Sequence, residues 1–236
     1  SPLVDKILDT AGQKGTGKWT VNAALDQGID LSLISESVFA RCLSAFKDLR
    51  LSASQLLTGP GPKTPDDPQP VIESLERALY GAKIISYTQG FTLMSEASRD
   101  FGWELDLSLI ARIWRGGCII RSVFLDKIAA AYDHSRGLEN LLFDDYFTRT
   151  ITEVQTDLRA IVAQAVSAGI SIPCLSSALA YFDGLRCGRL RANLLQAQRD
   201  YFGAHTYERI DHPRGVHFHT DWTGRGGDTT STPYIT

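Results

Sequence analysis

The sequence lacks the features that define several large classes of protein. It has only four cysteines in 236 residues, with no CxxC pair, so we expect no disulfide framework and reduced thiols, as in the cytoplasm. No apolar run approaches the ~20 residues that a membrane-spanning helix needs. The net charge of −3 gives no electrostatic reason for binding to nucleic acid or to an anionic membrane. These absences predict a globular cytoplasmic protein with neither of those partners.

Strand patterns are also missing. No convincing alternation of apolar and polar residues occurs before residue 210, and no Gly-x-Gly-x-x-Gly motif follows a strand, so no dinucleotide-binding fold is visible. Apolar residues recur instead at helical spacing. The longest predicted helices cover residues 70–101, 119–131, 150–168 and 173–202. The sequence therefore predicts an all-α domain over residues 1–210, followed by an extended tail over residues 211–236.

The helical part contains a short repeat. Gly28-Ile29-x-Leu31-x-x-Ile34-Ser35-x-x-Val38 parallels Gly169-Ile170-x-Ile172-x-x-Leu175-Ser176-x-x-Leu179, 141 residues later. Each copy follows one predicted helix and opens another, so we expect an internal duplication in which two similar helical units pack together.

Two helices also carry packing signals. In the helix predicted over residues 70–101, the expected buried stripe is Ile72, Leu75, Leu79 and Ala82. In the helix predicted over residues 173–202, Gly184 and Gly188 share one face, which favours close approach of another helix.

The glycine-rich stretch Gly12-Gln13-Lys14-Gly15-Thr16-Gly17-Lys18-Trp19 precedes an apolar helix. Glycines let the backbone turn tightly, lysine adds positive charge, and the helix that follows contributes unpaired N–H groups and the positive end of its dipole. The stretch is not a nucleotide-binding P-loop, because Trp19 stands where a Mg²⁺-binding Ser or Thr is required and no buried strand precedes it. The residues alone leave two interpretations open: a phosphate- or carboxylate-binding corner, or a tight glycine turn.

This stretch belongs to the longer run Ile7-x-Asp9-x-x-Gly12-Gln13-Lys14-Gly15-Thr16-Gly17-x-Trp19. Three later segments accompany it: Ser37-Val38-Phe39-Ala40-Arg41, Ile113-Trp114-Arg115-Gly116-Gly117-Cys118-Ile119-Ile120-Arg121 and Gln198-Arg199-Asp200-Tyr201-Phe202-Gly203-Ala204-His205-Thr206-Tyr207. Together they resemble 6-phosphogluconate dehydrogenase, and what they resemble is its carboxyl-terminal half.

The resemblance implies a substrate site. Lys14, Thr16 and Arg41 would bind the phosphate of 6-phosphogluconate, with Gly15 and Gly17 shaping the loop. Arg199 and His205 would reach the active site of the other subunit, so the catalytic unit would be a homodimer, and the tail over residues 211–236 would dock on the partner. Taken singly, these side chains could equally be a solvated loop cation, a turn hydroxyl, helix cations and a solvated histidine.

The resemblance also implies what this chain does not supply. In the family, NADP accepts hydride from the substrate, which loses CO₂ to give ribulose 5-phosphate in the pentose phosphate pathway. NADP would be bound mainly by an amino-terminal Rossmann domain, and the catalytic lysine base and glutamate acid also belong to sequence upstream of Ser1. We therefore expect this chain alone to be inactive.

Other interpretations of the same residues are possible. The chain could be a non-catalytic helical dimerisation or interaction module derived from the same scaffold. A related 3-hydroxyacid dehydrogenase is disfavoured, because the predicted cations and donors exceed what an unphosphorylated acid needs. His217-x-His219 could ligate a metal, but no Cys or carboxylate lies at zinc-like spacing, so no metal is expected.

Overall fold

The protein is described by a computed structural model that covers residues 1–224. Its helices are α1 (Thr16–Asp26), α2 (Ser32–Ala45), α3 (Lys47–Leu56), α4 (Gln69–Phe101), α5 (Leu107–Gly117), α6 (Leu125–His134), α7 (Asp145–Ser167), α8 (Pro173–Leu185) and α9 (Ala192–Gly203). Two 3₁₀ turns (Leu3–Lys6 and Leu141–Phe143) and two short strands, β1 (Tyr207–Glu208) and β2 (His217–Phe218), complete the described elements. The predicted all-α fold is confirmed. No helix in this part of the chain is long and apolar enough to cross a membrane.

The chain divides into two compact units, Ser1–Asp183 and a second unit that begins at Gly184. The core of the first unit lies where α4 packs on α7, with α5 and α6 beside them. The buried face of α7 follows helical spacing, as its periodicity predicts. Its buried residues are Phe147, Ile151, Val154, Leu158, Ile161 and Ala165.

The predicted buried stripe of α4 is largely wrong. Ala82 is buried, but Ile72, Leu75 and Leu79 are 55%, 43% and 59% exposed. The first buried positions of α4 are instead small residues, Ala78, Gly81 and Ala82, and small side chains let two helix backbones approach closely. Residues 1–224 leave the stripe of large apolar residues at the start of α4 exposed.

Gly81 marks the closest approach of α4 to α7. A Cβ added there would lie 2.8 Å from Val154 Cγ2, whereas a Cβ on Gly90 of the same helix would meet nothing within 4 Å. Both glycine-to-alanine changes gain the same helix propensity, about 1 kcal/mol. We therefore expect Gly81→Ala to be less stable than Gly90→Ala by about 1–3 kcal/mol, the usual penalty for overpacking. Urea unfolding of the two variants measures this difference, and equal stability would show that α7 moves aside freely.

The two copies of the sequence repeat have the same local backbone structure, whereas the packing of two duplicated units stays a prediction. Gly28 and Gly169 follow the ends of α1 and α7 with left-handed φ angles of 65° and 69°, which suit glycine. The hydrogen bonds around them match one for one: Ile29 N to Ala24 O at 2.8 Å with Ile170 N to Ala165 O at 2.8 Å, Gly28 N to Leu25 O at 3.2 Å with Gly169 N to Val166 O at 3.1 Å, and Ser35 N to Leu31 O at 3.0 Å with Ser176 N to Ile172 O at 3.1 Å.

Two helix predictions are wrong at their boundaries. The helix predicted over residues 173–202 is two helices, since α8 ends at Leu185 and α9 begins at Ala192. A Cβ on Gly184 or Gly188 would meet nothing within 4 Å, so no helix among residues 1–224 lies against them. As weak helix formers, they lie where the helix breaks. Similarly, α6 begins only at Leu125, because turns occupy the residues after the Gly116-Gly117 pair.

The second unit contains α9 and a small antiparallel hairpin. Tyr207 pairs with Phe218 and Glu208 with His217, so the first part of the predicted tail folds back onto residues 207–208, which precede it. Residues 225–236 of that tail lie outside the described residues. The assignment of residues 1–210 to substrate binding and dimerisation, and of residues 211–236 to docking on a partner, stays a prediction.

Candidate functional site

The glycine loop ends at the first turn of α1. Gly15 is the N-cap residue, with φ 98° and ψ −16°, and Thr16 is the first helical residue. The first helical hydrogen bond runs from Trp19 N to Gly15 O at 2.9 Å. The three preceding N–H groups, of Thr16, Gly17 and Lys18, therefore have no acceptor within the helix, as at any helix N-terminus. Such groups can bind an anion, which stays a prediction for this loop.

The loop runs alongside α2 in the opposite direction. Its approach is fixed at three points: Ala11 N donates to Ser44 Oγ at 2.9 Å, Gln13 Nε2 lies 3.6 Å from Cys42 Sγ, and a Cβ on Gly17 would lie 2.9 Å from Val38 Cγ2. From residue 11 to residue 17 of the loop, the contacted residue of α2 changes from residue 44 to residue 38, so the two segments are antiparallel. Lys14 therefore passes the part of α2 that carries Arg41. The structure thus brings the predicted residues Lys14, Thr16 and Arg41 to one end of the α1–α2 pair.

The charges around this loop are of two kinds. Lys47 Nζ and Arg50 NH1 contact the carboxylate of Asp9 at 2.6 and 2.8 Å, and these hydrogen bonds hold the pKa of Asp9 well below its usual value. Within residues 1–224, Lys14 and Arg41 have no such partner, and both are exposed. Asp9 therefore pairs with two cations, whereas Lys14 and Arg41 are among the cations that remain available to an anionic ligand.

Gly15 holds a conformation that other residues adopt only with strain. With φ at 98°, Gly15→Ala should lower the free energy of unfolding by about 1–3 kcal/mol. Gly12→Ala is the matched control from the same loop, since a Cβ there meets nothing within 4 Å and should be neutral or stabilising by up to about 1 kcal/mol. Chemical unfolding of both variants checks the difference. Equal stability would indicate that the loop relaxes without strain.

Arg199 and His205 lie together in the second unit, at the end of α9. The His205 Nδ1 atom lies 3.1 Å from the Arg199 carbonyl oxygen. The imidazole also covers Gly203 closely, because a Cβ there would lie 2.6 Å from His205 Cε1. Arg199 NH1 donates to Gln196 Oε1 at 3.1 Å. The glycine that ends the helix thus creates the space in which the histidine ring lies.

Sequence reasoning missed the residue that organises this end of the chain. Asp200 is completely buried and accepts hydrogen bonds from Thr206 N, His219 Nδ1, Thr220 N and Trp222 Nε1 at 2.9, 3.0, 3.1 and 2.8 Å. Burial raises the pKa of Asp200, but these hydrogen bonds outweigh it and lower the pKa overall. The available signal was the position of Asp200 beside Arg199 in the segment from residue 198 to residue 207 that resembles the family. A carboxylate is rarely buried unless it is paired, so its partners could not be named without the structure.

The described chain shows no metal or dinucleotide site. Within residues 1–224, no group of three or more His, Cys, Asp or Glu side chains is arranged to hold a metal, and His219 contacts Asp200 instead. The only sheet in this range is the two-residue hairpin, so the crevice at the ends of parallel strands that binds dinucleotides is not built by these residues. A cavity of about 470 Å³ does border α2, but Lys14, Thr16 and Arg41 are not among its lining residues.

Known proteins resemble this chain over almost its whole length. Residues 1–222 match the model of the 6-phosphogluconate dehydrogenase C-terminal domain. The chain is 55% identical over 233 residues to the decarboxylating 6-phosphogluconate dehydrogenase of Haemophilus influenzae, covering 99% of this chain and 48% of that protein. It is also 55% identical over 242 residues to the corresponding protein of Candida albicans, covering 99% and 47%.

A solved structure is similar as well. Plasmodium falciparum 6-phosphogluconate dehydrogenase, studied in its apo form and in complex with its cofactor NADP⁺ and with its substrate 6-phosphogluconate, has a TM-score of 0.87 and 46% identity. The match covers 93% of this chain and 47% of that one, so the chain spans about half the length of the relatives it matches. By sequence and by fold, the chain belongs to the 6-phosphogluconate dehydrogenase family, whose C-terminal domain it matches.

Proposed function

We propose that this chain is the C-terminal part of an enzyme that oxidatively decarboxylates 6-phosphogluconate to ribulose 5-phosphate with reduction of NADP⁺, in the pentose phosphate pathway. In this proposal the chain binds the phosphate group of the substrate and forms the interface of a homodimer. The observation that carries the proposal is the pair of unpartnered cations, Lys14 and Arg41, beside the free N–H groups of α1.

The phosphate assignment follows from the chemistry of this end of the α1–α2 pair. A phosphate dianion requires hydrogen-bond donors and fixed positive charge, and the N-terminus of α1 supplies the donors. Lys14 contributes a compact charge, and Arg41 contributes a planar guanidinium that matches two phosphate oxygens. The hydroxyl of Thr16 makes no hydrogen bond within residues 1–224, so it can donate to the same ligand. Since Lys47 and Arg50 are already paired with Asp9, they are not assigned to it.

Arg199 and His205 are assigned to the active site of the partner subunit. The dimer that this requires is supported by the exposed stripe of Ile72, Leu75 and Leu79 on α4, since exposed apolar surface of this kind favours association. Shared sites would make catalysis depend on the dimer. Dilution below the dimer dissociation constant would then abolish turnover.

The coenzyme and the proton-transferring groups are assigned to residues outside this chain. The described helices build no dinucleotide crevice, and the lysine base and glutamate acid of the family have no counterpart that we assign within residues 1–236. Lys14 is not a candidate for the base, because its proposed partner is the substrate phosphate. The chain alone is therefore proposed to be inactive.

The test is turnover by the protein encoded by the complete reading frame. With 6-phosphogluconate and NADP⁺, we expect formation of NADPH in equal amounts with CO₂, and we expect none from residues 1–236 alone. Gluconate, which lacks the phosphate, is the control substrate and should be turned over far less efficiently. Equal use of gluconate would contradict the phosphate site, and a folded, dimeric, inactive protein would favour a non-catalytic interaction module.

A further inference from the structure

We propose that Gln196 and Asp200 are positioning residues for the substrate site. Both side chains bind the backbone of Thr206 and so fix its neighbour His205, and Gln196 also binds Arg199. The inference rests on the proposed function, because it assumes that Arg199 and His205 contact the substrate. The two side chains are four residues apart on α9 and therefore lie on the same face of the helix, one turn apart. We call them the Thr206 clamp.

The clamp binds both backbone polar groups of Thr206, its carbonyl oxygen and its N–H. Gln196 Nε2 donates to Thr206 O at 2.6 Å, and Thr206 N donates to Asp200 Oδ1 at 2.9 Å. The residues around His205 need such support, since Ala204 and Thr206 have positive φ angles of 50° and 61°. Left-handed backbone is unfavourable for residues other than glycine and persists only where the surroundings impose it. The clamp supplies that restraint on one side of His205.

His205 is restrained on its other side by the end of α9. Its Nδ1 atom contacts the carbonyl oxygen of Arg199, and a carbonyl can only accept, so Nδ1 carries the proton. The remaining ring nitrogen, Nε2, has no protein partner within residues 1–224. A neutral imidazole in this tautomer presents Nε2 as an acceptor, suited to a sugar hydroxyl. Release of Thr206 would let the imidazole leave this position.

Gln196 also acts on Arg199. Because its Nε2 donates to Thr206, its Oε1 is the acceptor for Arg199 NH1 at 3.1 Å, and the two contacts together determine the orientation of the amide group. One side chain therefore links the guanidinium of Arg199 to the peptide that carries His205. A change at residue 196 should alter both predicted substrate contacts at once.

Asp200 connects the clamp to the segment after β2. Its carboxylate accepts from His219 and Thr220 as well as from the indole of Trp222, and it has no exposed surface. This segment therefore packs on α9 through the same carboxylate that holds Thr206. Loss of the carboxylate would leave several buried donors unpaired, so it is the less suitable first variant.

The test is Gln196→Ala in the protein encoded by the complete reading frame. Residue 196 is half-buried, so the variant should fold. We expect the KM for 6-phosphogluconate to rise roughly tenfold, as for the loss of two hydrogen bonds, with the KM for NADP⁺ changed less than twofold. Gln198→Ala is the matched control, because residue 198 is an exposed glutamine on the same helix; its KM should change less than twofold.

A double-mutant cycle separates positioning from a general structural effect. If Gln196 acts through His205 and Arg199, then adding Gln196→Ala to the His205→Ala/Arg199→Ala variant should change the KM less than twofold further. A full additional tenfold increase would overturn the clamp. If His205→Ala and Arg199→Ala leave the KM unchanged, the substrate assignment itself fails, and the clamp fails with it. Asp200→Asn is a second test. Once circular dichroism has shown that this variant is folded, we expect it to raise the KM for 6-phosphogluconate, and we expect its effect on the KM not to add to that of His205→Ala.

Discussion

Replacing Lys14 with alanine should raise the KM of the complete protein for 6-phosphogluconate about 30-fold, whereas the same replacement of Lys47 should change it less than threefold. A hydrogen bond to a charged group contributes about 1.5–3 kcal/mol, and about 2 kcal/mol corresponds to a factor of about 30. Lys14 has no ion-pair partner within the described chain, so its ammonium group is available to the phosphate. Lys47 is held by Asp9 at 2.6 Å.

The matched lysine variants distinguish a specific contact from the general effect of removing a positive charge. Both lysines belong to the α1–α2–α3 region, and both changes alter the net charge by the same amount. Equal increases in KM would show that only the overall field matters, and the phosphate assignment of Lys14 would be wrong. Steady-state kinetics at low and high salt complete the measurement, because a screened long-range effect fades with ionic strength while a close contact persists.

The choice of substrate provides an internal control on the same variants. Lys14→Ala should reduce kcat/KM for 6-phosphogluconate strongly, and should leave the weak turnover of gluconate almost unchanged, since gluconate has no phosphate for Lys14 to bind. Thermal unfolding should show no large loss of stability, because Lys14 is exposed and makes no contact that the fold needs. Loss of both activities together would indicate damage to the loop rather than loss of a ligand contact.

The parts of the fold that the sequence predicted are those determined by local chemistry. The periodicity of α7 identified its buried face. Asp106 is of a residue type that favours helix N-caps, and it accepts from Leu109 N at 2.9 Å at the start of α5. Gly28 and Gly169 revealed the repeat because left-handed helix ends favour glycine. Each of these signals lies within a few residues of the structure that it specifies.

The errors have a different physical origin. The first turns of α4 carry a large apolar stripe and a small-residue face, and periodicity cannot determine which of the two a neighbouring helix covers. The break between α8 and α9 depends on weak helix formers inside a segment that otherwise favours helix. For α4, contacts between distant parts of the chain decide the outcome, and no local pattern records them. For the break between α8 and α9 the local signal was present in Gly184 and Gly188, but it was interpreted as a packing signal.

The candidate site shows the same division. The residue types of the glycine loop indicated a possible anion site. The family resemblance indicated which of the many cations and histidines to assign to it, namely Arg41, Arg199 and His205. What could not be predicted was the set of contacts around Asp200, which joins residue 200 to residues 206 and 219–222. A carboxylate that accepts from main-chain N–H groups leaves no residue-type signature at the donor positions, so only a structure reveals it.

The largest loss of stability should come from Phe91→Ala, which we expect to lower the free energy of unfolding by about 3–5 kcal/mol. Phe91 is completely buried in the middle of α4. Its ring centroid lies 5.4 Å from that of Trp114 and 5.5 Å from that of Tyr132. The substitution removes these aromatic contacts and leaves a cavity among residues of several helices, which can collapse only in part. Urea unfolding followed by circular dichroism measures the change.

Phe101→Ala is the matched control for this prediction. Phe101 lies on the same helix and is also stacked on an aromatic ring, that of Trp103 at 4.8 Å, but it is 56% exposed. Phe101 is the last residue of α4, so alanine gains less helix propensity there than at residue 91, by at most about 0.5 kcal/mol. A larger difference between the two variants therefore reports burial and the cavity. We expect Phe101→Ala to lower stability by less than about 1 kcal/mol. Equal losses of stability would mean that Phe101 is covered in the assembled protein, which would place the end of α4 in an interface. A loss of stability below about 1 kcal/mol for Phe91→Ala would contradict the core described for α4, α5 and α6.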